Sequence, residues 1–272
     1  MSWFNARRRR PVAGYTALLL GLVMAGLLYG AFSRTGGTAQ ASSPPASQSD
    51  INTGQGLFDA NCSSCHGLEA QGTTQAPGLI GAGAAAVDFQ MSTGRMPAKE
   101  VGPEEPRKPA TFTAQQIYEI ADYIASLGGG PAIPDAQQVS TAGADTALGT
   151  QLFMANCAQC HGFAGDSGAL TYGKFAPALT AATPAQIYEA MLTGPEAMPV
   201  FSDGALSPSA KRDIIAYVVN TVTEPNPGGF SLGRTGPVTE GIVIWLGGLG
   251  FLVIIALWIT AKRRDPRPTG TE

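Results

Sequence analysis

Histidine is almost missing from this chain of 272 residues: there are two, beside four cysteines. All six fall into two short motifs. No cysteine remains for a structural disulfide, and no histidine remains for work elsewhere. Charge is scarce too, at 14% of residues, and it is unevenly spread. Between residues 41 and 240 there are eight basic and eighteen acidic residues, a net of −10, whereas nine of the 17 basic residues lie at the two ends. A nucleic-acid partner is thereby excluded, because phosphate binding needs the opposite sign. The acidic middle suits basic or metal-bearing partners, or serves only as a solvated surface. Also lacking are a glycine-rich phosphate loop, a nucleophile–base pair and a spare acid–base residue.

What is present divides the chain clearly. Arg7 to Arg10 precede an uncharged apolar run, Val12 to Phe32, and a second such run, Gly241 to Ala261, ends at Lys262, Arg263 and Arg264. At ~1.5 Å per residue each run spans the ~30 Å hydrocarbon core of a bilayer. Both place their positive charge on the side away from the middle. The positive-inside rule therefore predicts cytoplasmic termini and a middle on the outer face of the cell membrane. The first run reads as a retained anchor or as a secretory signal cleaved near Ala39-Gln40-Ala41, and its length favours the anchor. Gly247, Gly248 and Gly250 in the second run suit close packing against a partner helix.

Between the runs the same pattern occurs twice. Gly54-x-x-Leu57-Phe58-x-Ala60-Asn61-Cys62-x-x-Cys65-His66-Gly67 returns as Gly149-x-x-Leu152-Phe153-x-Ala155-Asn156-Cys157-x-x-Cys160-His161-Gly162. Ala76-Pro77 matches Ala176-Pro177, and Thr93-Gly94 with Met96-Pro97 matches Thr193-Gly194 with Met198-Pro199. Each copy closes on an apolar stretch of helical period, with Ile117, Ile120 and Ile124 in one and Ile214, Ile215 and Val218 in the other. Two copies indicate tandem domains rather than a solenoid.

Cys-x-x-Cys-His is the attachment signature for haem c. Two cysteines three apart on a helical turn each form a thioether with a haem vinyl group, and the adjacent histidine reaches the iron. A redox dithiol would need a βαβ context that is absent. Structural zinc would need four ligands in one compact site, and these pairs lie in separate repeats. The motifs thus predict two covalently bound haem c groups, on Cys62 and Cys65 with His66, and on Cys157 and Cys160 with His161. With no third histidine, the sixth ligand falls to methionine, the usual electron-transfer arrangement. Met96 and Met198 precede prolines in equivalent loops and are the natural distal ligands. Met91 and Met191 read as core, and Met154 lies on the helix entering the second motif. Pro77 and Pro177 either offer a backbone carbonyl to the imidazole or are ordinary turn prolines. Phe58 and Phe153 are expected to meet Tyr123 and Tyr217 where first and last helices cross. Irons ligated on both faces leave no open position, so no catalytic substrate site is expected in this chain alone.

The resulting fold class is mostly α: two tandem class I-like cytochrome c domains flanked by N- and C-terminal transmembrane helices. A cytoplasmic basic end (1–11) leads to the first apolar run (12–32) and a flexible spacer (33–50). The first domain (51–128), a linker (129–144) and the second domain (145–224) follow. A last linker (225–240), the second apolar run (241–261) and a cytoplasmic tail (262–272) complete the chain.

Three stretches carry a family resemblance: Pro77 to Gly81 continuing through Phe89 to Pro97, Ala190 to Pro199, and Lys211 to Val218. With the repeats and the C-terminal anchor, they resemble the di-haem cytochrome c subunit of the actinobacterial cytochrome bcc complex, the menaquinol–cytochrome c reductase. The resemblance covers about residues 50 to 261, and the first 50 match only in kind. It implies a proton-translocating complex in which this subunit takes electrons from a Rieske iron–sulfur protein beside a cytochrome b subunit. It further implies that the two c-type haems relay them to an aa-type cytochrome c oxidase. Two other readings stand beside it: a stand-alone membrane-anchored carrier for another oxidase or dehydrogenase, and a haem enzyme or gas sensor. The latter requires an open iron site, against which both Met-Pro loops argue.

Overall fold

The helical spacing at the end of each repeat is what the folded chain uses to build its cores. The computed structural model describes residues 11–33, 46–100, 102, 104–223 and 237–262. The basic residues 7–10, the candidate cleavage site 39–41, most of the last linker (224–236) and the tail beyond 262 lie outside the described residues.

After α1 (Pro11–Ser33), the first half contains α2 (Gln48–Asn61), a short α3 (Ser63–His66), α4 (Ala84–Ser92) and α5 (Ala114–Gly128). The second half repeats this order after α6 (Ala136–Val139), with α7 (Thr146–Asn156), α8 (Ala158–His161), α9 (Pro184–Thr193) and α10 (Pro208–Thr223). Starts follow capping chemistry. Thr113 with Gln116, and Thr183 with Gln186, form reciprocal capping boxes, and Pro184 occupies the first turn of α9. Ser47 caps α2 from inside the expected spacer, so the end of that spacer is helical.

In each half the first and last helices cross at a glycine. A methyl on Gly54 would overlap the Glu119 carbonyl, and one on Gly149 would overlap that of Asp213. This close approach brings Phe58 to Tyr123 at 5.4 Å and Phe153 to Tyr217 at 5.0 Å between ring centroids, as expected. Around these pairs lie Met91, Ile117, Ile120 and Ile124 in one core, and Ile187, Met191, Ile214, Ile215 and Val218 in the other. Burying each such side chain contributes about 1.5–3 kcal/mol. Met91 and Met191 are thus core residues.

Two further segments differ from the sequence reading. The expected linker 129–144 carries α6, which packs on α9 and α10. Arg212 fastens its end, donating to the carbonyls of Ser140 at 3.0 Å and Ala142 at 2.9 Å. The second half also holds a small antiparallel pair, β1 (Gly168–Ala169) with β2 (Phe175–Ala176). The halves meet through α4 and α9. Across that contact both terminal nitrogens of Arg107 donate to Gln186 Oε1 at 3.1 Å, and Gln186 donates to Ser92 at 3.0 Å. Nearby, the Phe175 amide donates to Glu104, and the Glu105 amide to Glu196.

The last helix, α11 (Pro237–Lys262), contains Gly241–Ala261. Among the described residues this is the one helix long and apolar enough to cross a membrane, with a mean hydropathy of 2.7. In α1 the apolar part with described side chains is shorter, Tyr15–Leu27, and is not clearly transmembrane.

Candidate functional site

Both Cys-x-x-Cys-His motifs fold the same way. The entering helix stops at Cys62 or Cys157, and the chain turns directly into a four-residue helix ending at the histidine. The amides of Cys65 and His66 donate back to the Cys62 carbonyl, as those of Cys160 and His161 do to Cys157. Gly67 and Gly162 end the turn at φ of +83° and +71°, a region favouring glycine. None of the four cysteines is in a disulfide. Burial first, and Cys65 second, push Cys62 up to about 11; burial, then Cys160, do the same to Cys157. Neither Cys62 nor Cys157 is thus the depressed thiol that attacks in thiol–disulfide exchange.

Each histidine is oriented by a proline carbonyl. His66 Nδ1 lies 2.8 Å from the Pro77 oxygen and His161 Nδ1 3.0 Å from the Pro177 oxygen. A carbonyl only accepts, so Nδ1 carries the proton and Nε2 is left with its lone pair, as a metal-facing imidazole needs. Burial lowers the pKa of His161, opposed by this bond.

The remaining candidates pack on the cores, and in the second half they share a cavity with the motif. Cys62, Leu79 and Met96 pack on the first core, and Cys157, Leu179 and Met198 on the second. In the second half Cys157, Cys160, His161 and Met198 line one cavity of about 260 Å³. A single ordered water needs about 10–15 Å³, so the space is that of a larger group. Its walls are largely apolar, including Leu170, Ile187, Ala190 and Phe201.

Sequence reasoning missed part of this cavity. Phe89, Arg95, Glu104 and Arg107 line it from the first half. Arg95 is 7% exposed, its Nε lies 3.8 Å from Glu196, its guanidinium sits 5.1 Å from the Phe89 ring centre, and its buried Nη1 has no partner among the described residues. One signal was present in the sequence: the equivalent Thr-Gly loops carry opposite charges, Arg95 in one and Glu196 in the other. In the second half the unbridged cysteine pair, the oriented imidazole, Met198 and the orphaned buried donor of Arg95 fit a covalently attached haem with anionic side groups.

Comparison with known proteins agrees with this chemistry. The cytochrome c profile matches residues 51–128, and that of cbb3-type cytochrome c oxidase subunit III matches 144–218. The cytochrome bc1 complex cytochrome c subunit of Mycobacterium tuberculosis is 45% identical over 262 residues, covering 94% of this chain and 93% of that one. The subunit of the same name from Corynebacterium diphtheriae is 42% identical over 95% of this chain and 97% of its own. A cbb3-type cytochrome c oxidase subunit of Rubrivivax gelatinosus is 31% identical over 50% of this chain. With cytochrome c domains, covalent haem c implied by them, and identity along nearly its whole length, the chain belongs to the family of cytochrome bc1 complex cytochrome c subunits.

Proposed function

We propose that this chain is the di-haem electron-transfer subunit of a quinol–cytochrome c reductase, accepting electrons from a Rieske iron–sulfur protein and delivering them to an aa-type oxidase. The observation that carries this reading is the cavity where the second attachment motif, its carbonyl-tied histidine and Met198 come together. In this reading Cys62 and Cys65, and Cys157 and Cys160, anchor one haem each. His66 and Met96 would ligate the iron of one haem, His161 and Met198 that of the other. A bound haem supplies a one-electron ferric–ferrous couple. The protein's own residues bind and orient it: the Pro77 and Pro177 carbonyls fix the imidazole tautomer, and the thioether donors prevent loss. The domains are residues 51–128 and 145–224. Both apolar helices span the cell membrane, with cytoplasmic termini and the haem domains on the outer face. The charge asymmetry of the ends supports this topology; the relatives' names support partnership with other subunits of a bc1 complex, and the particular partners are what the resemblance above implies.

Mild-detergent purification of the tagged chain from its native membrane tests the assignment. Co-purifying cytochrome b, Rieske and oxidase subunits, with cyanide-sensitive oxygen uptake driven by menaquinol, are the expected result. The match of the second half to cbb3-type subunit III favours one other reading, a membrane-anchored carrier for a different oxidase. A chain recovered with two haems, no Rieske protein and no quinol activity would decide for that carrier.

A further inference from the structure

The second cavity is completed by residues of the first half. Arg95 directly precedes Met96, yet its side chain lines the cavity that holds Cys157, Cys160 and His161. A guanidinium has five donors and is always charged, so burying it is costly unless acceptors meet it. Here Glu196 Oε1 lies 3.8 Å away, beyond hydrogen-bond distance, and Nη1 has no acceptor among the described residues. The phenyl ring of Phe89 covers one face. Arg107, at the exposed rim, adds a second cation to the same wall and is held there by Gln186. A haem brings two carboxylates, its propionates, and an arginine fork matches a carboxylate closely.

We propose that Arg95 binds a propionate of the haem held by the second half, with Arg107 as its outer partner. This rests on the reading that a haem occupies that cavity. The consequence is a physical tie between the two centres. One loop supplies Met96 to the first haem and a positive charge to the second, so a displacement of residues 93–108 alters the second haem's potential. A free propionate's negative charge favours the oxidised, more positive iron, and pairing it with Arg95 removes that preference. Arg95 therefore raises the second haem's potential, acting as a positioning residue rather than a catalytic one.

The test is a spectroscopic redox titration of the full-length chain in its native complex, with R95Q, R95K and R107Q beside the wild type. Haem content is counted by the pyridine haemochrome assay, and each haem is identified by its loss of methionine ligation in M96L or M198L. In R95Q the reduction equilibrium of the second haem should fall about tenfold, which is about 59 mV for one electron. The first haem should move less. R95K should recover at least half of the shift, and R107Q should show a smaller fall in the same direction. A second haem that titrates as in the wild type, a shift confined to the first haem, or an R95K as low as R95Q would each overturn the assignment. If R95Q yields no two-haem protein, R107Q decides: a fall at the second haem upholds the proposal and an unmoved one overturns it. A wild-type chain carrying a haem only on the first motif would overturn the occupancy reading as well, whereas an unmoved second haem in two-haem R95Q overturns this inference alone.

Discussion

Asp88 on α4 meets Glu189 on α9, so two carboxyl groups face each other where the halves of the chain pack. Glu189 is 0% exposed; no N–H or hydroxyl among the described residues reaches its oxygens, and what they face is the carboxyl of Asp88. Burial first, and Asp88 second, push its pKa up to about 10 from an ordinary 4.5. Glu189 is therefore protonated in the folded protein at neutral pH and ionised once the chain unfolds. Unfolding releases that proton between these two values, so raising the pH across this window favours the unfolded state, by up to about 1.4 kcal/mol per pH unit. Glu189→Gln keeps the shape and has no proton to lose. Its unfolding free energy should decline less from about pH 6 to about pH 8 than the wild type's, leaving it the more stable at the upper end. An unchanged slope in denaturant titrations of the haem-loaded chain would contradict this assignment.

The two helix crossings make a sharper prediction. Gly54→Ala and Gly149→Ala each drive a methyl into a backbone carbonyl of the facing helix, and overpacking of this kind costs about 1–3 kcal/mol. Gly56, on the same helix as Gly54, has open space around its would-be Cβ. Gly56→Ala should instead stabilise by about 0.5–1 kcal/mol, since it lowers the entropy of the unfolded chain. Thermal unfolding of the three variants separates the effects. Equal midpoints for Gly54→Ala and Gly56→Ala would show that the crossing tolerates a side chain.

The repeats, the attachment motifs and the closing helices were legible because each is a local pattern. Cysteine and histidine occur nowhere else, and the isoleucines of α5 recur at helical period. The carbonyl of Pro77 or Pro177 at its histidine was legible as one of two alternatives, and the aromatic pairs as a consequence of the crossing. What was not legible depends on distant residues. Strands of two residues, β1 and β2, and a helix of four, α6, are too short to show a period. Arg95, Glu104 and Arg107 belong to no repeated motif, and they line the second cavity from the half whose α4 packs on α9. No pattern within either repeat reports a contact between repeats.

Lys211 and Asp203 form an ion pair whose ends differ. The Lys211 side chain is 0% exposed, with its ammonium 5.5 Å from the Tyr188 ring centre, whereas the Asp203 side chain is 38% exposed. Removing the carboxylate strands a buried cation, whereas removing the cation leaves a carboxylate that water reaches. Asp203→Asn should therefore cost about 3 kcal/mol and Lys211→Met about 1 kcal/mol or less, the methionine filling the buried stem's space. Denaturant midpoints of the two variants give the order directly. The reverse order would mean that the ammonium finds other acceptors when Asp203 is neutral.

The proposed iron ligation is tested by four methionines in matched pairs. Met96 and Met198 sit in the loops that follow α4 and α9, each packed on the core that Cys62 or Cys157 also meets. Met91 and Met191 lie one turn or more earlier, 5% and 2% exposed in the cores. Leucine is close to methionine in volume, so Met91→Leu and Met191→Leu should cost under about 1.5 kcal/mol and leave both haem spectra and potentials in place. Leucine has no sulfur to give the iron. In Met96→Leu or Met198→Leu, one haem each should lose its methionine-to-iron absorption and drop in potential by at least about 0.1 V, within the roughly 0.8 V that axial ligands span. The opened iron should also bind carbon monoxide once reduced, which the wild type should not. A Met198→Leu protein with wild-type titration and no carbon monoxide binding would remove Met198 from the coordination sphere, and Met191 or Met154 would then have to take its place.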